Sequence, residues 1–174
     1  MEKEPHQFRI TASWTSGRTG IAKCDTVPNA VRFAAPAHFG GLDGRWTPED
    51  LLLTAVASCY TSTFRALADY SRFEYADLEV EATGTVHKLN SGYTFGEIVT
   101  HPVLTIVRAE DHERALRLLD KAQGLCLVAR ALSAKHIFLP SVEIAVQKGK
   151  NKTSQSRENT GENREQENNR DAAG

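Results

Sequence analysis

The sequence predicts an α+β fold with antiparallel pairing, and three observations carry that prediction. Short alternating segments come first, a long apolar helix follows, and two further alternating segments meet at Asn90-Ser91-Gly92 before more helix and a closing strand. Strands and helices are thus segregated, without the repeated βαβ pattern that a parallel sheet needs. At 174 residues, 40% hydrophobic and 25% charged, the chain is long and apolar enough for one domain with its own core.

Taken in order, QFRITASWT and TGIAKCDT read as two strands with a turn at Ser16-Gly17-Arg18, and AVRFAA reads as a third. Pro36, Gly40, Gly41 and Gly44 then break the pattern ahead of a helix over Pro48–Asp69. Thr47 is a good N-cap for that helix. Pro48 fits the first helical position, where no N–H partner is needed, and Glu49 and Asp50 suit the positive end of the dipole. DLEVEATGTVHKL and TFGEIVTHPVLTIVRA form a long hairpin across Asn90-Ser91-Gly92. HERALRLLDKAQ carries Ala115, Leu118, Leu119 and Ala122 at spacings of three and four after a cap at Asp111, so it is a helix. LCLVARALS is a shorter helix beyond Gly124, and FLPSVEIAV closes the fold as a strand.

Composition changes near Gln147. The segment KGKNKTSQSRENTGENREQENNRDAAG contains no large apolar residue and cannot bury enough surface to offset its ordering entropy. Residues 1–147 are therefore expected to form the domain, ordered from about residue 5, and residues 148–174 a disordered polar tail. Asn151-Lys-Thr matches a glycosylation sequon, which is idle without a secretion signal. The formal net charge of −1 gives no electrostatic case for nucleic acid or an anionic membrane as partner. MEKEPHQFRI lacks an apolar signal core, and no run of about 18 apolar residues occurs, so the expectation is a soluble cytoplasmic protein.

Three cysteines, Cys24, Cys59 and Cys126, are too few and too scattered for a disulfide scaffold. No Cys-x-x-Cys or His-x-x-x-His spacing favours zinc. Cys59 shares a helical stripe with Leu52, Ala55, Val56, Thr63 and Ala66, which puts it on an apolar face. Burial there raises a thiol pKa, and a small hydrophobe is its ordinary role. Cys126 follows Gly124 at or near a helix start, where free N–H groups stabilise a thiolate; packing beside Leu125 and Leu127 is its ordinary role. From the residues themselves, the chain holds two thiols on two helices, and Cys126 is the one favourably placed for ionisation.

FGGLDGRWTPEDLLLTAVASCYTSTF, followed much later by AQGLCLVARAL, resembles the OsmC/Ohr family, the osmotically inducible protein C and organic hydroperoxide resistance proteins. The shared pattern is a Gly-rich turn, Thr47-Pro48-Glu49, a long apolar helix ending in an Ala-rich Cys, and a second Cys after Lys121-Ala122. The resemblance spans about residues 6–147. It departs from the hydroperoxide-resistance branch at Leu127, where that branch has Pro, and Ala35-Pro36-Ala37-His38-Phe39-Gly40-Gly41 looks like the broader OsmC-like groups.

The resemblance implies an OsmC-like fold, antiparallel sheets packed around long central cysteine-bearing helices in an intertwined homodimer with sites at the interface. It also implies a peroxidase acting on organic hydroperoxides. Cys59 becomes a sulfenic acid, Cys126 condenses with it to a disulfide, and an external lipoyl-type dithiol or lipoylated protein restores both thiols, with no bound cofactor. An arginine stabilises the Cys59 thiolate. Arg18, in Gly17-Arg18-Thr19-Gly20, is favoured, with Arg32 in AVRFAA as the alternative, and Glu49 orients it. Each has an ordinary role too: an exposed arginine, or a helix N-terminal carboxylate worth about 0.3–1 kcal/mol.

Ten residues separate Glu49 from Cys59, so on a straight helix they lie about 15 Å apart and point roughly 80° apart. Both serve one site only if Glu49 comes from a second subunit or the helix is not straight. Apolar neighbours at Leu52, Val56, Phe64, Leu125 and Leu127 favour alkyl or lipid peroxides over hydrogen peroxide. The alternatives are a redox-sensing or small apolar ligand-binding protein without turnover, and a structural dimer whose cysteines only pack. Cys24 has no assigned role.

Overall fold

The computed structural model describes residues 5–145; the polar tail expected over residues 148–174 lies outside the described residues. An antiparallel three-stranded sheet is built from β1 (Thr11–Ser16), β2 (Thr19–Cys24) and β3 (Val27–Ala34), with the predicted turn at Gly17 in a left-handed conformation, φ 51°. Every residue of β1 is exposed, Trp14 by 75%. The sheet therefore holds apolar surface that its own chain does not cover.

From Ala34 the chain makes a short 3-10 turn at Ala37–Phe39 and returns so that Ala34 N donates to the Trp46 carbonyl at 2.9 Å. Two glycines make that return possible. Gly40 takes φ 77°, and a Cβ on Gly41 would lie 1.6 Å from the Ala35 carbonyl oxygen.

Helix α1 (Pro48–Tyr70) begins as expected, with Pro48 in its first turn. Thr47 Oγ1 accepts from Asp50 N at 3.1 Å, and the Asp50 carboxylate accepts from Thr47 N at 2.9 Å, a reciprocal capping box. By length and composition α1 is apolar enough to cross a membrane, with a mean hydropathy of 1.2 over 18 residues. Its stripe Val56, Tyr60, Phe64 and Ala68 is instead buried within the protein against neighbouring elements. Only 22% of that window is buried within one chain.

The second sheet is centred on β5 (Gly92–Ile106). It pairs antiparallel with β4 (Asp77–Leu89) through the predicted hairpin, and its positions Ile98, Thr100, Pro102, Leu104 and Ile106 are buried in alternation. Helices α2 (His112–Leu125) and α3 (Leu127–Ala131) then cross over the sheet. α2 runs through Gly124 rather than stopping there; the break falls at Cys126, which leaves helical geometry with ψ 108°. Asp111 stands at the expected cap position without capping, because its carboxylate is held by Arg108 at 2.7 Å.

The expected closing strand is two strands, β6 (Lys135–Phe138) and β7 (Ser141–Ile144), both parallel to β5. Pro140 lies between them and has no N–H to give to a ladder. The helical crossover of α2 and α3 is the connection a parallel pair requires, so the fold remains α+β with antiparallel hairpins and one parallel flank. Tyr60, Phe64, Leu104, Ile106, Leu119 and Cys126 lie at the centre of the core between α1, α2 and the sheet.

Candidate active site

Cys59 and Cys126, far apart in the chain, come together where α1 passes the α2–α3 break, close enough that each thiol shifts the ionisation of the other. Cys126 is fully buried in the core cluster, and Cys59 is half-buried at its edge. Both are free thiols.

Their electrostatics reverse the assignment made from position in the helix. Burial acts to raise the Cys59 thiol, but the Val128 N–H, the Cys126 thiol, the Leu127 N–H and the Thr63 hydroxyl together outweigh it and hold it below the ordinary value of 9.0. Burial pushes Cys126 up, Cys59 adds to that, and the Ala129 and Val128 N–H groups oppose it only in part. The first N–H groups of α3 are thus directed at the sulfur facing them across the interhelical gap, while the cap residue turns its own sulfur into the core. Cys126 is therefore the thiol that keeps its proton. The Thr63 hydroxyl, one helical turn beyond Cys59, donates its proton to the Cys59 carbonyl at 2.8 Å, which places it beside the Cys59 side chain.

The residues beside Cys126 differ from the packing neighbours expected: Leu125 is 49% exposed and Leu127 69%. They form an open apolar rim next to the thiol pair. Val56 and Phe64 are buried, as their stripe requires.

Glu49 belongs to a separate cavity of about 330 Å³ lined by Pro36, His38, Phe39, Thr47, Glu49 and Val86, among others, with neither cysteine in its walls. Asp50 supplies the cap, so the Glu49 carboxylate is not used for capping, and Glu49 Oε2 is buried without a partner. An unpaired buried carboxylate oxygen is costly and calls for a donor. Arg18 donates to the carbonyl of Phe39, in the turn that walls this cavity, and its guanidinium lies 3.7 Å from where a Gly40 Cβ would be. Arg32 is exposed on β3 in register with Ile21. Arg18 is therefore the arginine that the fold ties to the Glu49 region.

One chain accordingly holds two separate groups, the thiol pair and the cavity region with Glu49 and the Arg18-held turn. α1 is a continuous α-helix from Pro48 to Tyr70, which keeps Glu49 and Cys59 about 15 Å apart along its axis. Cys24 lies on the N-terminal sheet with its sulfur 3.0 Å from Thr26 Oγ1, on a different sheet from the one that packs with the thiol pair. Among the described residues no group of three or more His, Cys, Asp or Glu side chains is placed to hold a metal ion. Sequence reasoning missed the Leu127 and Val128 amides, and it listed Thr63 on the Cys59 stripe without giving it a role. The spacing of Thr63 from Cys59 was the available signal.

Residues 41–139 match the family described as OsmC-like protein. The uncharacterized protein YmaD of Bacillus subtilis is 26% identical over 130 residues, covering 73% of this chain and 87% of the relative. Among solved structures, an OsmC-like protein of unknown function from Vibrio cholerae superposes with a TM-score of 0.69 at 15% identity, covering 78% of this chain and 99% of the other. An organic hydroperoxide resistance protein OsmC from Legionella pneumophila gives 0.66 at 21%, covering 81% and 99%. The organic hydroperoxide resistance protein OhrB of Bacillus subtilis gives 0.58 at 22%, covering 79% and 98%. At these identities the structural likeness carries the fold.

Proposed function

Because the chain belongs to the OsmC-like protein family, we propose that it is a cysteine-based thiol peroxidase that reduces organic hydroperoxides. The observation that carries this reading is the pairing of a thiol held below its ordinary value with a protonated thiol in contact with it. A low thiol beside a second cysteine is the arrangement of a peroxidatic and a resolving cysteine.

In the first step the Cys59 thiolate attacks the O–O bond of the hydroperoxide. A sulfur–oxygen bond forms, the O–O bond breaks, and the leaving alkoxide takes up a proton, giving an alcohol and Cys59 sulfenic acid. In the second step Cys126 loses its proton and its sulfur displaces the hydroxyl, giving the Cys59–Cys126 disulfide and water. A lipoyl-type dithiol then reduces the disulfide by exchange through a mixed disulfide and is itself oxidised. The exposed rim of Leu125 and Leu127 rewards an apolar peroxide. Structural relatives from Legionella pneumophila and Bacillus subtilis are organic hydroperoxide resistance proteins.

The site is completed by a second copy. Exposed Trp14, Trp46 and Ile10, together with the thinly covered α1, supply apolar surface for a homodimer interface. In that dimer Glu49 and Arg18 of one chain face the thiol pair of the other, with the carboxylate orienting the guanidinium toward the reacting oxygens. The dimer works in the cytoplasm, with no part for nucleic acid or membrane.

The test is dithiol-dependent consumption of cumene hydroperoxide and of hydrogen peroxide by the wild type and by Cys59→Ser. The wild type should turn over many equivalents, faster with cumene hydroperoxide, and Cys59→Ser none. Oxidation of both thiols that stops after one equivalent despite excess dithiol would mean a sensor rather than an enzyme.

A further inference from the structure

Tyr60 follows Cys59 directly and is fully buried in the cluster that also holds Cys126. Its ring lies against Phe138, with centroids 5.8 Å apart, and its hydroxyl donates to the Leu119 carbonyl on α2 at 3.0 Å. Phenylalanine would fill the same ring volume. A buried hydroxyl is unfavourable unless bonded. Here it is bonded to a mid-helix carbonyl that the α2 ladder already uses, so the bond adds little to α2 itself.

What the bond does is fix α1 against α2. The tie sits next to Cys59 on the first helix and about two turns ahead of Cys126 on the second. Apart from it, this contact is made of non-directional groups such as Phe64, Ala115, Leu118 and Ala122. A second polar tie, from Arg114 to the Ser71 carbonyl, lies at the far end of α1. Burial, then the charge of Asp120, pushes the Tyr60 phenol far above its ordinary value, so the hydroxyl remains a donor throughout.

Disulfide formation is demanding in geometry, because the two sulfurs must meet at bond length with a defined dihedral angle. Cys126 is the first residue past α2, so the spacing of α1 and α2 governs that approach. We propose that Tyr60 is a positioning residue for the resolving step, its hydroxyl holding α2 at the spacing from which Cys126 reaches the oxidised Cys59. This rests on the thiol-pair reading above.

Tyr60→Phe removes the hydroxyl and keeps the ring. Reduced wild type and variant are mixed with one equivalent of cumene hydroperoxide, and two rates are followed: Cys59 oxidation, and the disappearance of the dimedone-trappable sulfenic acid. Oxidation should be unchanged, and resolution should slow by about three- to tenfold, the range one hydrogen bond carries. Phe138→Leu loosens the same core without touching the hydroxyl and should leave the ratio of the two rates as in the wild type. Equal resolution in Tyr60→Phe and wild type would overturn the proposal, as would an equal slowing of both steps or the same change of ratio in Phe138→Leu. A second readout needs no peroxide. The dithiol–disulfide equilibrium of Cys59 and Cys126 against dithiothreitol should move about three- to tenfold toward the dithiol in Tyr60→Phe, and an unchanged constant overturns the proposal. Failure of wild-type Cys59 to be oxidised by the hydroperoxide would refute the peroxidase reading separately.

Discussion

Cys59 and Cys126 face each other between α1 and α3 and shift in opposite directions. Against burial, the Val128 N–H and the Cys126 thiol hold Cys59 below the ordinary 9.0, while burial, reinforced by Cys59, pushes Cys126 above it. Folding thus favours the thiolate at one cysteine and the thiol at the other. The Cys59 contribution to stability is present above the unfolded thiol value and fades as pH falls through its folded value. That of Cys126 is present below the unfolded value and is lost as pH rises through its folded value. Alkylation by iodoacetamide, read by peptide mass, should label Cys59 first, with a midpoint below 9.0, and Cys126 only at higher pH. Cys126→Ala removes one donor and should move the Cys59 midpoint upward. Earlier labelling of Cys126 would invert the assignment of roles.

The two serine variants should fail at different steps. Cys59→Ser abolishes peroxide consumption. Cys126→Ser consumes about one equivalent and stalls as a sulfenic acid that dimedone traps. Quantitative peroxide titration with mass analysis distinguishes these outcomes, and equal partial losses in both variants would contradict them.

Thr100 tests the core beneath α1. It is 1% exposed, and its Oγ1 has no partner, so the hydroxyl lies on the buried face of β5 uncompensated. Thr100→Val keeps the shape and removes the orphan. It should raise stability by about 1 kcal/mol, a melting-temperature rise on the order of 3 °C. A fall on thermal denaturation would mean that the hydroxyl serves a buried water.

Gly41 tests the wall of the Glu49 cavity. Its amide donates to the Pro36 carbonyl at 3.1 Å, and a Cβ would overlap the Ala35 carbonyl, a backbone atom that cannot turn aside. Gly41→Ala should cost about 1–3 kcal/mol and displace the turn carrying Phe39, against which Arg18 is held. Peroxidase activity should fall further than the lost stability explains. Unchanged activity in the folded variant would remove Arg18 from the mechanism.

Much of the fold was legible because its signals are local. Thr47-Pro48 marked the start of α1 and Asn90-Ser91-Gly92 the hairpin, but the stripe through Cys59 and Ala66 missed the inward face, which runs through Val56, Tyr60, Phe64 and Ala68 and leaves Ala66 exposed. The direction of β6 and β7 was not legible, since alternation shows that a strand is half-buried but not which neighbour it pairs with. Asp111 reads as a cap until Arg108, three residues upstream, is seen to hold its carboxylate. The ionisation of the thiols depended on contacts distant in sequence. A helix start implies donors near Cys126, but those donors act on whatever faces them, and that is Cys59. Tyr60 carried no signal at all, because a buried tyrosine and a buried phenylalanine look alike until Leu119 lies opposite.

The central claim is that each site takes its thiols from one chain and Glu49, with Arg18, from the other. Cys59→Ser and Glu49→Ala subunits, each nearly inactive as homodimers, are refolded together and the mixed species is isolated. In the heterodimer one site collects both lesions and the other collects none, so about half of wild-type peroxidase activity per dimer should return. No recovery in a verified heterodimer would contradict the composite site and confine Glu49 to its own chain.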